Sequence, residues 1–214
     1  MTNASAQVAV INYGMGNLRS VVNAFAAIGA PVTIAQSPEQ LAQASHIVLP
    51  GVGAFGDGMK NLQEMGWIPS LETEVRAKGK PFLGICLGMQ LLATLGTEHG
   101  DCKGLGWIDG IVERLPLTEP TLRIPHIGWN DVEFRQTDGL GQNLGDRRDF
   151  YFVHSYAFLD LPDEIVSGVT IHGCTFISSL HQDNLYAVQF HPEKSQKAGL
   201  MMLQNFIQVE GNHA

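Results

Sequence analysis

The N-terminal half of the chain alternates between short apolar runs and segments with helical spacing. Apolar runs at residues 8–13, 32–35, 46–49 and 82–85 predict strands. Helical patterns separate or follow them at residues 17–28, after 37, after 56, at 68–78 and at 87–95. Strands joined by helix-length segments form right-handed βαβ units, so the sequence predicts an α/β fold with a mainly parallel sheet.

The C-terminal half carries mostly strand patterns. Residues 104–115, 124–134, 150–158, 169–180 and 185–190 predict strands, which we expect to add antiparallel strands to the sheet. The polar, glycine-rich stretch 136–149 predicts an exposed loop, and a last helix is expected over residues 195–209. A length of 214 residues suits one domain over residues 1–214.

Charge and cysteine content argue against several functional classes. Lys and Arg total 13 against 21 Asp and Glu, a formal net charge of −8, whereas nucleic-acid-binding proteins usually carry a basic face. The three cysteines form no CxxC pair and are odd in number, so we expect neither a disulfide framework nor a structural zinc site. The N-terminus lacks a signal-like pattern and no apolar run reaches about 18 residues, which predicts a soluble, cytoplasmic protein without membrane contact.

The pentapeptide GICLG at residues 84–88 follows the fourth apolar run and opens a helical segment. This is the setting of the nucleophile elbow G-x-S-x-G, with cysteine in the place of serine. The sharp turn brings side chains two residues away on either side into collision, so glycine is needed at both positions. Cys86 would also stand at a helix N-terminus, where the dipole favours the thiolate. The pentapeptide alone is equally consistent with a buried cysteine between two packing glycines.

The segment QFHPE at residues 189–193 ends the last apolar run. Pro192 favours extended backbone at His191, and in extended backbone side chains two residues apart point the same way. Glu193 can therefore hydrogen-bond one imidazole nitrogen while the other faces a thiol, which is the arrangement of a base and its orienting group. A solvated His-Pro-Glu turn is the alternative. His126 and His154 compete as bases, but neither is followed two residues later by a carboxylate.

The loop LPGVGAFG at residues 49–56 leaves the end of the third predicted strand, the position at which doubly wound folds place their sites. Its glycines allow backbone N–H groups to approach a phosphate, or an oxyanion formed at Cys86. No Lys-Ser/Thr follows, so it is not a P-loop. The loop, the cysteine and the HPE segment together supply oxyanion donors, a nucleophile, and a base with its orienter. Two alternatives stay open: a stand-alone cysteine hydrolase or peptidase, and a non-enzymatic anion-binding module with a merely buried cysteine.

These motifs resemble the class I (triad) glutamine amidotransferases. More narrowly, the chain is similar to the family of glutaminase subunits of imidazole glycerol phosphate synthase, an enzyme of histidine biosynthesis. The narrower resemblance rests on MGNLRSV (15–21), LPGVGAFGDGM (49–59), CLGMQLL (86–92), KGLGWIDG (103–110), PHIGWN (125–130), YFVHSY (151–156) and QFHPEKS (189–195). The resemblance implies a flavodoxin-like class I amidotransferase fold, with a mainly parallel central sheet, helices on both faces and antiparallel additions from the second half.

The resemblance also implies roles for particular residues in the hydrolysis of glutamine to glutamate and ammonia. Cys86 would form a γ-glutamyl thioester, His191 would transfer protons and Glu193 would orient His191. The backbone N–H of Leu87 and one from the strand of Val52 and Gly53 would form the oxyanion hole. The positions that match those holding glutamine are Gly51, Gln90, Ser155, Tyr156 and Glu98, the last assigned on its spacing from Cys86.

The resemblance further implies a partner subunit. Ammonia in neutral water is mostly ammonium, which is not a nucleophile, so such a glutaminase passes ammonia internally to a (β/α)₈-barrel cyclase in a heterodimer. That partner makes imidazole glycerol phosphate and an aminoimidazole carboxamide ribotide. The positions that match those near the interface are Asn17, Trp129, Tyr151 and Lys194. The resemblance implies no metal and no organic cofactor for this subunit.

Overall fold

The computed structural model describes residues 6–116, 119, 121–135 and 139–211. In chain order the strands of this part are β1 (Val8–Ile11), β2 (Val32–Ala35), β3 (His46–Gly51), β4 (Phe82–Cys86), β5 (Ala93–Gly96), β6 (Cys102–Lys103), β7 (Ile108–Arg114), β8 (His126–Phe134), β9 (Arg147–His154), β10 (Tyr156–Phe158), β11 (Val166–Ile171), β12 (Thr175–Gln182) and β13 (Leu185–Val188). The α-helices are α1 (Leu18–Ala27), α2 (Phe55–Glu64), α3 (Trp67–Leu71), α4 (Leu87–Gln90) and α5 (Gln196–Phe206). Helical turns of other types lie at Pro38–Gln43, Glu72–Ala77, Gly139–Gly141 and Pro192–Lys194.

The parallel core of the molecule has the strand order β2-β1-β3-β4-β13. This is the flavodoxin-like order 2-1-3-4-5 when only the parallel strands are numbered. The predicted parallel α/β sheet is confirmed. Each of these strands alternates its side chains between two apolar cores, because successive residues of a strand point to opposite faces.

The two cores lie on opposite faces of the sheet. Val8 and Val10 of β1 pack with the buried sides of α1 and α5, whereas Ala9 and Ile11 pack with α2, α3 and the second sheet. Helices therefore cover both faces, as the family resemblance implies. No helix in the described ranges is long and apolar enough to cross a bilayer.

Antiparallel strands extend the central sheet in the order β13-β12-β11-β8-β9, which confirms the expected additions from the second half. Four other strands form a separate sheet in the order β10-β7-β5-β6. The segment 104–115, predicted as an addition to the central sheet, therefore belongs mostly to this second sheet. Residues 150–158, predicted as one strand, divide between the two sheets as β9 and β10, with Ser155 at the break.

The helix predicted over residues 87–95 ends at Gln90, and β5 follows after a turn. The cause is long-range backbone pairing. Leu105 N–H donates to Leu91 O at 2.8 Å, and Trp107 N–H donates to Leu92 O at 2.9 Å. A helix would require those two carbonyls for its own hydrogen bonds, so the pairing with residues 105–107 ends it.

The stretch predicted as an exposed loop at residues 136–149 is only partly so. Residues 136–138 lie outside the described residues. Leu140 and Leu144 are buried in the core below α5, and Arg147–Asp149 already belong to β9. Two leucines at this spacing bury enough apolar surface to anchor the glycine-rich segment.

Candidate active site

Three adjacent parallel strands carry the three sequence motifs at their carboxyl ends. In the register of the sheet, Gly51 of β3 pairs with Cys86 of β4, and Val188 of β13 pairs with Ile85. The glycine-rich loop, the cysteine and the HPE segment therefore leave the sheet side by side. This is the edge at which open parallel sheets form ligand sites.

The backbone of Cys86 lies in a strained conformation, with φ 53° and ψ −109°. A Cβ atom at Gly84 would lie 2.7 Å from the carbonyl oxygen of Gly88, and a Cβ at Gly88 would lie 1.8 Å from the carbonyl oxygen of Leu49. Both distances are far below van der Waals contact, so only glycine fits on either side of the cysteine. This is the geometry that the nucleophile elbow demands.

His191 and Glu193 form a buried pair. Nδ1 of His191 lies 2.8 Å from Oε1 of Glu193, and each side chain is only 3% exposed. Ser195 fixes the turn: its hydroxyl donates to the His191 carbonyl at 2.6 Å and accepts from the Tyr151 N–H at 3.0 Å. The backbone of His191 is thereby anchored to β9.

Electrostatics couple His191 to the cysteine. Burial lowers the pKa of His191, but interaction with a Cys86 thiolate and with Glu193 outweighs burial and raises the pKa above its usual range. Nε2 of His191 is buried and makes no hydrogen bond of standard geometry within the described residues. The two observations agree, because attraction between charges needs proximity but not alignment. The raised pKa favours the imidazolium form of His191 beside Cys86.

Gln189 is a neighbour of the cysteine that the sequence analysis did not single out. Its Nε2 donates to the Cys86 sulfur at 3.6 Å, and the side chain is completely buried. Gln90 Nε2 in turn donates to Gln189 Oε1 at 3.0 Å and to the Tyr156 carbonyl at 2.8 Å. The spacing held a usable signal, since residues 189 and 191 of an extended segment face the same way.

A cleft of about 550 Å³ opens beside the sulfur. The predicted oxyanion and substrate positions that line it are Val52, Gly53, Leu87, Gln90, Glu98, Ser155 and Tyr156. Gly51 does not line it but lies buried directly behind, paired with Cys86. Glu98 accepts the Phe55 N–H at 2.8 Å, which ties its carboxylate to the start of α2.

Three of the four predicted interface residues form one group at the rim of the cleft. The Trp129 and Tyr151 rings meet edge to face, with centroids 6.2 Å apart, and Lys194 Nζ lies 5.7 Å from the centroid of the Tyr151 ring. Trp129 is 49% exposed, and Lys194 also lines the cleft. Asn17 lies apart as the exposed N-cap of α1, where its side chain accepts the Ser20 N–H at 3.3 Å.

His126 and His154, which the sequence left as competing bases, form a neutral pair. Burial, together with neighbouring histidines, lowers the pKa of His126 to about 3 and that of His154 to about 4. Nδ1 of His154 donates to the Tyr156 carbonyl at 3.0 Å, so its Nε2 must accept from His126 Nδ1, also at 3.0 Å. Asn130 Nδ2 lies 3.2 Å from His126 Nε2 and completes a directional chain. The pair supports the cleft wall instead of taking protons.

We expect this pair to make the fold sensitive to acid. The unfolded chain, with histidine pKa values near ~6.5, binds more protons than the folded chain at any pH between about 4 and 6.5. The free energy of unfolding therefore keeps its full value above pH ~6.5 and falls as the pH drops. For His154 alone the fall is roughly 1 kcal/mol at pH ~5.5. His154→Asn keeps a donor for the Tyr156 carbonyl but removes the titration. The free energy of unfolding, measured with urea at several pH values, should depend less steeply on pH in the variant than in the parent. Equal pH dependence in the two proteins would contradict the assignment.

Comparisons with known proteins agree with the geometry of the site. The family model described as glutamine amidotransferase class-I matches residues 9–209. The chain belongs to the class-I glutamine amidotransferase family. The matched range includes the cysteine elbow and the HPE segment.

Two curated relatives of this amidotransferase are similar over nearly the whole chain. The imidazole glycerol phosphate synthase subunit HisH 1 of Campylobacter jejuni is 47% identical over 202 residues, covering 94% of this chain and 100% of that protein. The subunit HisH of Aquifex aeolicus is 48% identical over 198 residues, covering 92% and 94%. Both relatives are named as subunits of a synthase.

A solved structure supports the amidotransferase fold. PurLQS from Thermotoga maritima superposes with a TM-score of 0.75 at 17% identity, covering 95% of this chain and 98% of that chain. At this identity the likeness concerns the fold alone. It agrees with the predicted class I amidotransferase architecture.

Proposed function

We propose that this chain is the glutaminase subunit of imidazole glycerol phosphate synthase in histidine biosynthesis. It hydrolyses glutamine to glutamate and ammonia for use by a cyclase subunit. The single observation that carries the proposal is the strained Cys86 elbow beside the buried His191–Glu193 pair, at the edge of a cleft. Similarity of 47–48% to curated subunits of that synthase supports the choice of pathway.

In the acylation step, the Cys86 thiolate attacks the side-chain amide carbon of glutamine. His191 holds the thiol proton and delivers it to the departing ammonia, which leaves a γ-glutamyl thioester. Glu193 keeps the imidazole oriented through the 2.8 Å bond to Nδ1 and stabilises its charge. Burial of both side chains excludes water that would weaken this pairing.

In the deacylation step, His191 takes a proton from water, which attacks the thioester and releases glutamate. Each step passes through an oxyanion. The Leu87 N–H at the start of α4 and a second N–H from Val52 or Gly53 stabilise it, and the loss of one such donor typically costs about 3–4 kcal/mol. The cleft position of all three residues supports this role.

The far end of the cleft suits the amino-acid end of glutamine. The Glu98 carboxylate meets the substrate ammonium, while backbone groups of Ser155 and Tyr156 meet its carboxylate. The Tyr156 carbonyl is already held by Gln90 and His154, so this wall of the cleft is rigid before glutamine arrives. Gly51, the last residue of β3, contributes backbone directly before the proposed oxyanion donors Val52 and Gly53.

We further propose that the ammonia passes to a (β/α)₈-barrel cyclase docked at the rim of the cleft. The surface group formed by Trp129, Tyr151 and Lys194 supports this placement, because aromatic residues such as Trp and Tyr are enriched at interfaces. Asn17 would contact the same partner. No metal or organic cofactor takes part, and we place the complex in the cytoplasm, where a thiol nucleophile stays reduced.

The test is to mix the chain with the cyclase and measure glutamate release with and without the cyclase's nucleotide ligand. We expect low release by the chain alone and a large increase in the complete mixture. Steady hydrolysis of amides other than glutamine, without a partner, would instead support a stand-alone hydrolase. Cys174→Ala serves as a control, since that cysteine lies outside the residues that line the cleft.

A further inference from the structure

Tyr13 presents a buried hydroxyl that finds no hydrogen-bond partner among the described residues. The residue lies two positions beyond β1, at the same edge of the sheet as the three site motifs, and its side chain is completely buried. Buried hydroxyls without partners are uncommon, because burial removes the hydrogen bonds that water would supply. The position of an unpartnered hydroxyl at this edge of the sheet therefore needs a functional explanation.

The position of this hydroxyl is well defined. A Cβ atom built on Gly51 would lie 2.2 Å from Tyr13 Oη and 2.9 Å from Leu87 Cβ. The hydroxyl thus sits directly against the backbone of Gly51, on the side of Gly51 that also faces Leu87. Burial, and then the charge of a Cys86 thiolate, raises the pKa of Tyr13. The phenol keeps its proton and remains a hydrogen-bond donor.

The geometry of a peptide unit supplies the missing acceptor. In a trans peptide the N–H and C=O bonds point in opposite directions. For the Val52 N–H to face an oxyanion in the cleft, the Gly51 carbonyl must face the interior, where Tyr13 lies. A buried carbonyl needs a donor as much as a buried hydroxyl needs an acceptor.

We propose that Tyr13 is a positioning residue whose hydroxyl donates to the Gly51 carbonyl when the Gly51–Val52 peptide presents its N–H to the oxyanion. The inference rests on the proposed glutaminase function. The hydroxyl has no hydrogen-bond partner among the described residues, so the proposed bond forms together with the oxyanion-binding arrangement of the peptide. It therefore acts on turnover and not on the binding of glutamine.

The test is Tyr13→Phe in the complete complex, which removes one oxygen and keeps the ring. We expect kcat for glutamine to fall about tenfold, as the loss of one hydrogen bond predicts, with KM within about twofold of the parent. Thermal unfolding of the free chain should occur at the same or a higher temperature, since no existing bond is lost. Tyr186→Phe is the matched control: it removes a hydroxyl from another buried tyrosine, outside the cleft, and should leave kcat unchanged.

Several results would overturn the inference. One is a kcat for Tyr13→Phe within about twofold of the parent. Another is a rise in KM with kcat unchanged, which would mean that the hydroxyl serves glutamine binding. A third is a fall in the unfolding free energy of the variant that is as large as the rise in its activation free energy. That result would mean that the hydroxyl is already hydrogen-bonded in the free chain. A parent complex without glutaminase activity would overturn the proposed function itself, and this is read on the parent, not on the variant.

Discussion

Cys86→Ala will abolish glutamine-supported turnover by the complex and leave turnover with added ammonium salts intact. Without the thiolate no thioester forms, and the loss of a nucleophile costs at least about 10⁴-fold in rate. The cyclase reaction uses ammonia from either source, so it should survive the substitution. The measurement is product formation with glutamine and, separately, with ammonium at a pH where free ammonia is present.

The control for this prediction lies in the same chain. Cys102 and Cys174 are both more exposed than Cys86, and neither lines the cleft. Replacing either with alanine should leave both activities unchanged. Loss of both activities in the Cys86 variant would contradict the division of roles, because it would mean that the thiol supports the assembly and not the chemistry.

Gly88→Ala should be the most destabilising single methyl addition at the site. The new Cβ would lie 1.8 Å from the Leu49 carbonyl oxygen, and backbone on both sides prevents an easy shift. Collisions of this kind belong to the class that costs more than about 4 kcal/mol. For a chain of this length that corresponds to a fall of roughly 10 °C or more in the unfolding temperature, measurable by calorimetry.

Gly56→Ala is the matched control for the glycine prediction. Gly56 lies in α2, and a Cβ there would meet only the Cys102 sulfur at 3.9 Å, an ordinary contact. Alanine favours a helix by up to about 1 kcal/mol over glycine, so this variant should be as stable as the parent or more so. Equal stability of the Gly88 and Gly56 variants would refute the proposed strain at the elbow.

Sequence patterns predicted the parts of the fold that local physics determines. The alternation of β1, α1, β2 and β3 forces parallel strands through handed connections, and parallel strands collect their carboxyl ends at one edge. The three motifs could therefore be placed at one edge of the sheet before any coordinates. The glycines at 84 and 88 were predictable for the same reason, since the elbow's geometry is local.

The remaining features depend on contacts between distant segments. The end of α4 at Gln90 is fixed by backbone donors near residues 105–107, and no pattern within residues 87–95 records them. The break at Ser155 likewise follows from strand pairing with two different sheets. Gln189 and Tyr13 reach the site through side-chain positions that only packing determines.

We propose that Cys86 and His191 form one activated nucleophile beside the cleft that holds glutamine. The most direct measurement is to treat the complex with a glutamine-like chloroketone and locate the label by mass spectrometry. Cys86 is only 6% exposed, whereas Cys102 and Cys174 are more accessible. Labelling governed by accessibility would therefore reach Cys102 and Cys174 first, whereas labelling governed by activation of the thiol would reach Cys86 first. We predict rapid labelling of Cys86 alone, lost in His191→Asn. Labelling of Cys102 and Cys174 ahead of Cys86 would contradict the account.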